Sequence, residues 1–173
     1  MRVIFTKHNH NAVSLLLNVT RDEYNSEHIR TTTIDNKTNI SLPIIAAYFL
    51  TLAQFTDYKT LFNISIVSYL DLIKPTIYLL IYIMSLALAF LSCIKMIQVI
   101  FTKPYAVINP ADLYNSKYMY NDSSVLSIEL IRLYIKATAE NKNQNNARIR
   151  EYKKGWIYAV ISISLFVLYN FTK

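Results

Sequence analysis

Three stretches of this chain carry no charged side chain: residues 40–56, 75–94 and 155–172, of 17, 20 and 18 residues. A helix rises about 1.5 Å per residue and a hydrocarbon layer is about 30 Å thick, so each run is near the length of one crossing. Apolar residues are bunched in these runs rather than spread at the period of a soluble core. The pattern predicts an all-α membrane protein with three transmembrane helices, at about 40–56, 75–102 and 155–172. The first is the weakest, because Ser41, Thr51 and Gln54 lower its insertion energy and companion helices have to support it. Pro43 falls in its first turn, where a missing N–H costs little, and Pro75 opens the second span. Beyond Lys95 the apolar character continues through Phe101, until Pro104 and Pro110 stop the helix.

The remainder is polar. Residues 1–39 form an N-terminal segment, in which 13–19 suits a short amphipathic helix and 21–30 a solvated helix face; residues 40–173 form the membrane domain. Residues 57–74 are a short connection, and 105–122 read as a loop ending in the N-cap candidates Asp122 and Ser123. The helix predicted over 124–152 is amphipathic and lies in the cytoplasmic segment 103–154. Ile128, Ile131 and Ile135 recur at helical spacing beside Leu126, Leu130 and Leu133, and then ENKNQNNARIR turns polar. It feeds the last span through Lys153, Lys154, Gly155 and Trp156. Lysines there reach headgroups while the indole sits in the interfacial belt.

Charge sets the orientation. Residues 95–154 hold ten Lys/Arg and five Asp/Glu, residues 1–39 hold five Lys/Arg, and only Lys173 lies beyond the last span. Counting Lys and Arg, the N-terminus and 95–154 belong in the cytoplasm, which three spans satisfy and two do not. The formal charge of +7 is placed for an anionic lipid surface, or for a nucleotide held beside it, rather than for nucleic acid. The richness in Asn, Lys, Ile and Tyr reads as a low-GC bacterial source, which makes the membrane the bacterial inner membrane.

Composition also removes chemistry. With one glycine, neither a P-loop nor a dinucleotide-binding turn can be built, and with one cysteine, Cys93, there is no intrachain disulfide or thiolate metal cluster. No nucleophile–base pair or metal motif stands out, so no enzyme, cofactor or metal site is expected. His8 and His10 read as solvent-exposed. No charge interrupts a span, which argues against a proton-coupled transporter; Lys95, at the edge of the second, can snorkel. The bases Arg148, Arg150, Lys153 and Lys154 fit lipid headgroups, and alternatively the phosphate of a nucleotide. Tyr105, Tyr114, Tyr118 and Tyr120 are interfacial anchors or base-stacking candidates. Gly155 is a hinge candidate between the polar helix and the last span.

Asp35 and Lys37 open the motif DNKTNISLPIIAAYFLTLA. This entry, the second long span, the stretch YAVINPADLYNSKYMY, the Lys/Asn-rich helix and YKKGW follow one another over about 35–169. The series resembles the Pycsar transmembrane effectors, small bacterial anti-phage proteins whose first membrane helix is entered through an "ADxKA" pattern; Thr38 stands where that pattern has alanine. The resemblance implies an effector triggered by a cyclic pyrimidine nucleotide from a co-encoded cyclase, which impairs the inner membrane and causes abortive infection. Self-association is expected, since three helices alone enclose little water. The alternatives are a holin-like pore-forming toxin, or a small subunit of a membrane complex.

Overall fold

A computed structural model describes residues 7–54, 69–102, 105–108 and 123–172. All regular structure among them is helical: α1 is Lys7–Gln54, α2 is Tyr69–Ile100 and α3 is Ser123–Thr172, of 48, 32 and 50 residues. The first part of the connection at 57–74, Pro104, Pro110, Tyr114, Tyr118, Tyr120 and Asp122 lie outside the described residues, as do the side chains of His8 and His10.

The elements are longer than hydropathy suggests. A short helix at 13–19, a solvated face at 21–30 and a span from residue 40 are one continuous α1, so Pro43 sits deep inside it and not in a first turn. Likewise α2 starts at Tyr69, ahead of Pro75, which does not open the helix. Each proline removes one backbone hydrogen bond, from the carbonyls of Asn39 and Asp71 respectively, a loss that packed flanking turns can carry. The polar helix and the last span are likewise one element, α3, unbroken at Gly155.

Packing divides the chain into two units, Met1–Ile34 with Lys103–Ala147, and Asp35–Thr102 with Arg148–Lys173. These units are drawn from contacts, whereas the boundary at residue 39 follows hydropathy; the two describe different properties.

In the second unit, the inward positions follow one another at intervals of four and three. On α1 they are Thr38, Ser41, Ile45, Tyr48 and Leu52; on α2, Tyr82, Ser85, Ala89, Ser92, Met96 and Val99; on α3, Arg148, Tyr152, Gly155, Ala159, Ser162, Phe166 and Tyr169. A mean step of 3.5 keeps a seam facing its neighbours along a left-handed bundle. The buried residues on this seam are mostly small or hydroxylated: Thr38, Ser85, Ser92 and Ser162 are fully buried, and the apolar centre is formed by Ile45, Met96 and Ala159. The large apolar side chains instead face outward, including Leu80, Ile83, Met84 and Phe90 on α2 and Ile157, Val160, Ile163 and Leu168 on α3. Among the described residues two helices are long and apolar enough to cross a membrane, Ile73–Ile100 and Ser123–Phe171, and only 22% of each apolar window is buried within the molecule. A soluble core helix hides its apolar face; these expose it.

Hydroxyl groups join the helices. Ser85 Oγ donates to the Ser162 carbonyl at 2.9 Å, and Ser162 Oγ donates back to the Ser85 carbonyl at 2.7 Å. Since Ser162 spends its proton there, Tyr48 O–H is the donor in the 3.1 Å contact with Ser162 Oγ. Ser92 Oγ donates to the Gly155 carbonyl at 2.7 Å and Tyr82 O–H to the Leu52 carbonyl at 2.9 Å. In lipid such bonds contribute about 0.6–2 kcal/mol each, and small residues let the backbones approach.

The first unit is packed around polar groups. Asn141 is fully buried; its Oδ1 accepts the Ala106 N–H at 2.8 Å and its Nδ2 donates to the Ala106 carbonyl at 3.1 Å, as a neighbouring strand does. One turn on, Asn145 Nδ2 donates to the Glu27 carbonyl and carboxylate at 3.1 and 2.8 Å, while its Oδ1 accepts from Thr31 Oγ1 at 3.0 Å. The ENKNQNNARIR stretch is therefore partly interior, and Glu27 in the charged 21–30 stretch is engaged with it. Only interior partners with matched donors and acceptors make such burial tolerable. Ile131 is buried in this unit, whereas Ile135 is exposed.

Candidate functional site

The candidate site is the charged layer of the second unit, where the two best-marked groups of sequence candidates meet. Arg148 projects inward from α3. Its guanidinium donates Nε–H to the Val99 carbonyl at 3.0 Å, and its Nη2 to the carboxylate of Asp35. Val99 lies in the last turn of α2, whose terminal carbonyls have no partner within the helix and mark the negative end of its dipole. One arginine thus caps α2 and ties it to α1 and α3. Its side chain is 10% exposed, that of Asp35 45%.

One turn along α3, Glu151 collects a second set of cations. Lys95 Nζ lies 2.8 Å from its carboxylate, Lys154 Nζ 2.9 Å and Arg150 Nε 3.7 Å. The hydrogen-bonding lysines Lys95 and Lys154 hold the Glu151 carboxyl at about 2, below the ordinary 4.5. Lys95 does not simply snorkel, then: it also donates to Gln98 Oε1 at 2.9 Å and crosses to α3. Below this layer, Ser41 Oγ donates to the Lys37 carbonyl at 2.8 Å, leaving Tyr152 O–H to donate to Ser41 Oγ at 3.0 Å.

The four bases picked from the sequence do not form one cluster. At about 100° of rotation per residue, Arg150, Lys153 and Lys154 share one side of α3 and Arg148 occupies the opposite side. Arg150 and Lys153 are exposed, and Lys154 is half-buried. Lys37 is exposed on α1, two residues past Asp35. Gly155 is buried: a Cβ there would lie 2.9 Å from Met96 Cε, so the glycine admits the close approach of α2.

Tyr105 belongs to the first unit. Its hydroxyl donates to the Tyr24 carbonyl at 3.1 Å, and its ring centroid lies 5.6 Å from that of Tyr24 and 5.2 Å from that of His28. Burial, and then the neighbouring Tyr24, push its phenol up to about 12. Among the described residues no group of three or more His, Cys, Asp or Glu could hold a metal ion.

Sequence reasoning missed Glu151 and Lys95 as partners and the inward role of Arg148. A signal was present: Arg148 falls on the same three-and-four spacing as Asn141, Asn145, Tyr152 and Gly155, while the other bases fall off it. Comparison with family models, with curated proteins and with solved structures returns no match.

Proposed function

We propose that this chain is the membrane effector of a bacterial anti-phage system, crossing the inner membrane three times with its N-terminus in the cytoplasm and its C-terminus outside. A cyclic pyrimidine nucleotide from a co-encoded cyclase triggers it, and the effector then impairs the membrane, so that the infected cell stops growing before phage mature. Copies of the chain associate in this role.

The observation that carries the membrane part is the inverted polarity of the second unit, with hydroxyls and small residues inward and large apolar side chains outward. The third crossing is supported by the same inversion on α1: Ile40, Ile44 and Leu50 are exposed, whereas Thr38, Ser41 and Ile45 are buried. The effector role rests on the resemblance over 35–169.

Co-expression with a pyrimidine cyclase, read by a membrane-potential dye, tests the role. Collapse of the potential only when both are present is the expected result, and an unchanged potential at saturating nucleotide overturns it. Collapse on expression of the chain alone points instead to a holin-like toxin, and recovery of one stoichiometric partner in mild detergent to a complex subunit. For the topology, cysteines replacing Arg2 and Lys173 in a Cys93→Ala background are treated with an impermeant maleimide on intact spheroplasts. Labelling at 173 but not at 2 is expected.

A further inference from the structure

The charged layer of the second unit is unbalanced. Lys95, Arg148, Arg150 and Lys154 share two carboxylates, Asp35 and Glu151, with exposed Lys37 and Lys153 on its margins. The two carboxylates are not equivalent. Among the described residues Glu151 is held by two lysines and is 21% exposed, whereas Asp35 pairs with one cation, Arg148, and is 45% exposed. Arg148 itself is anchored independently of Asp35, through the Val99 carbonyl. Loss of Asp35 would therefore leave the guanidinium in place with half of its fork vacant.

We infer that Asp35 is a displaceable counter-ion, and that a phosphate-bearing anion, from a lipid headgroup or from a soluble phosphate compound, takes its place on Arg148 and loosens the hold of α1 on α2 and α3 at this level. The planar guanidinium fork suits phosphate oxygens at least as well as a carboxylate. The exchange keeps Arg148 paired with an anion, so its buried guanidinium is never left without a counter-charge. What changes is connectivity. A carboxylate on α1 ties that helix to the other two, and an exogenous anion does not. On the α1 side the Thr31–Asn145 contact one turn before Asp35 and the Ser41–Tyr152 contact beyond it remain as neutral links to α3. The inference needs the layer to lie at a membrane surface, as in the reading above, but not the anti-phage role.

The experiment uses the full chain in nanodiscs, with Cys93 replaced by alanine and spin labels on the exposed positions Lys37→Cys and Lys153→Cys. The α1–α3 distance distribution is recorded in phosphatidylcholine, in phosphatidylcholine with phosphatidylglycerol, and in phosphatidylcholine with inorganic phosphate. Adding the anion is expected to move the ratio of separated to close populations by about tenfold, the scale of a single coupling of this kind. A response to phosphatidylglycerol alone assigns the site to lipid, and a response to inorganic phosphate in either case assigns it to soluble phosphate as well. Asp35→Asn should show the separated population without any anion and no further response. The swap of Asp35→Arg with Arg148→Asp should restore the close population and abolish the response. An unchanged distribution in both anions, or an Asp35→Asn variant that stays close, overturns the inference. Failure of the cyclase experiment would leave these distances unaffected, so the two outcomes are separable.

Discussion

A methyl group on Gly155 would press on the mobile end of Met96, at 2.9 Å from Cε, rather than on backbone. Met96 can yield by a small rotation, and alanine gains about 1 kcal/mol of helix propensity over glycine. Gly155→Ala is therefore expected to stay within about 1 kcal/mol of the parent in detergent, by thermal unfolding followed by circular dichroism. Gly155→Leu overfills the seam and should cost about 1–3 kcal/mol, partly recovered by Met96→Ala. Glu151 has a pH signature. Its carboxyl is depressed from 4.5 to about 2, so its contribution is complete above about 4.5 and is lost as the pH falls toward 2. The unfolding temperature should decline across that window, and Glu151→Gln should flatten the decline while lowering stability at neutral pH.

At the level of the helix, apolar composition is legible in the sequence and helical length and phase are only partly so. The apolar runs at 75–94 and 155–172 announce α2 and the end of α3 because nothing charged interrupts them. Length was hidden: Pro43 and Pro75 are breakers by local rule, and only packing along both flanks lets the helix pass through them. Polarity misled more deeply. In ENKNQNNARIR, Asn141 and Asn145 look solvated until Ala106, Glu27 and Thr31 supply their partners from distant parts of the chain, contacts no local window contains. A test follows from Asn141. Replacement by leucine leaves the Ala106 N–H without its acceptor, at about 1–3 kcal/mol for an unsatisfied buried group, while the Ala106 carbonyl keeps the longer bond donated by the Tyr24 hydroxyl at 3.4 Å. Amide exchange at Ala106 should speed up by one to several orders of magnitude, while exchange in α2 stays near parental values.

For the molecule as a whole, the all-helical class and, among the described residues, two helices long and apolar enough to cross a membrane were legible, because long uncharged apolar runs stand out in hydropathy. The charged layer was legible in its residues but not in its pairings. Asp35 and Arg148 are 113 positions apart, and spacing along a chain says nothing about which acid meets which base. The same inversion of polarity makes a bulk prediction. Transferred from detergent to plain buffer, the chain should aggregate through its Leu, Ile and Phe exterior, and ultracentrifugation should find no monomer.

The three-and-four spacing on α3 has a consequence for length changes. Removing a single amino acid from the turn between Gly155 and Ser162 advances everything after it by about 100°. Ser162 and Tyr169 would swing away from the seam, and outward-facing neighbours would be forced against Ser85 and Tyr82. Such a deletion should be far more harmful than truncating any one side chain in that turn, and inserting one residue just ahead of Ser162 should repair it.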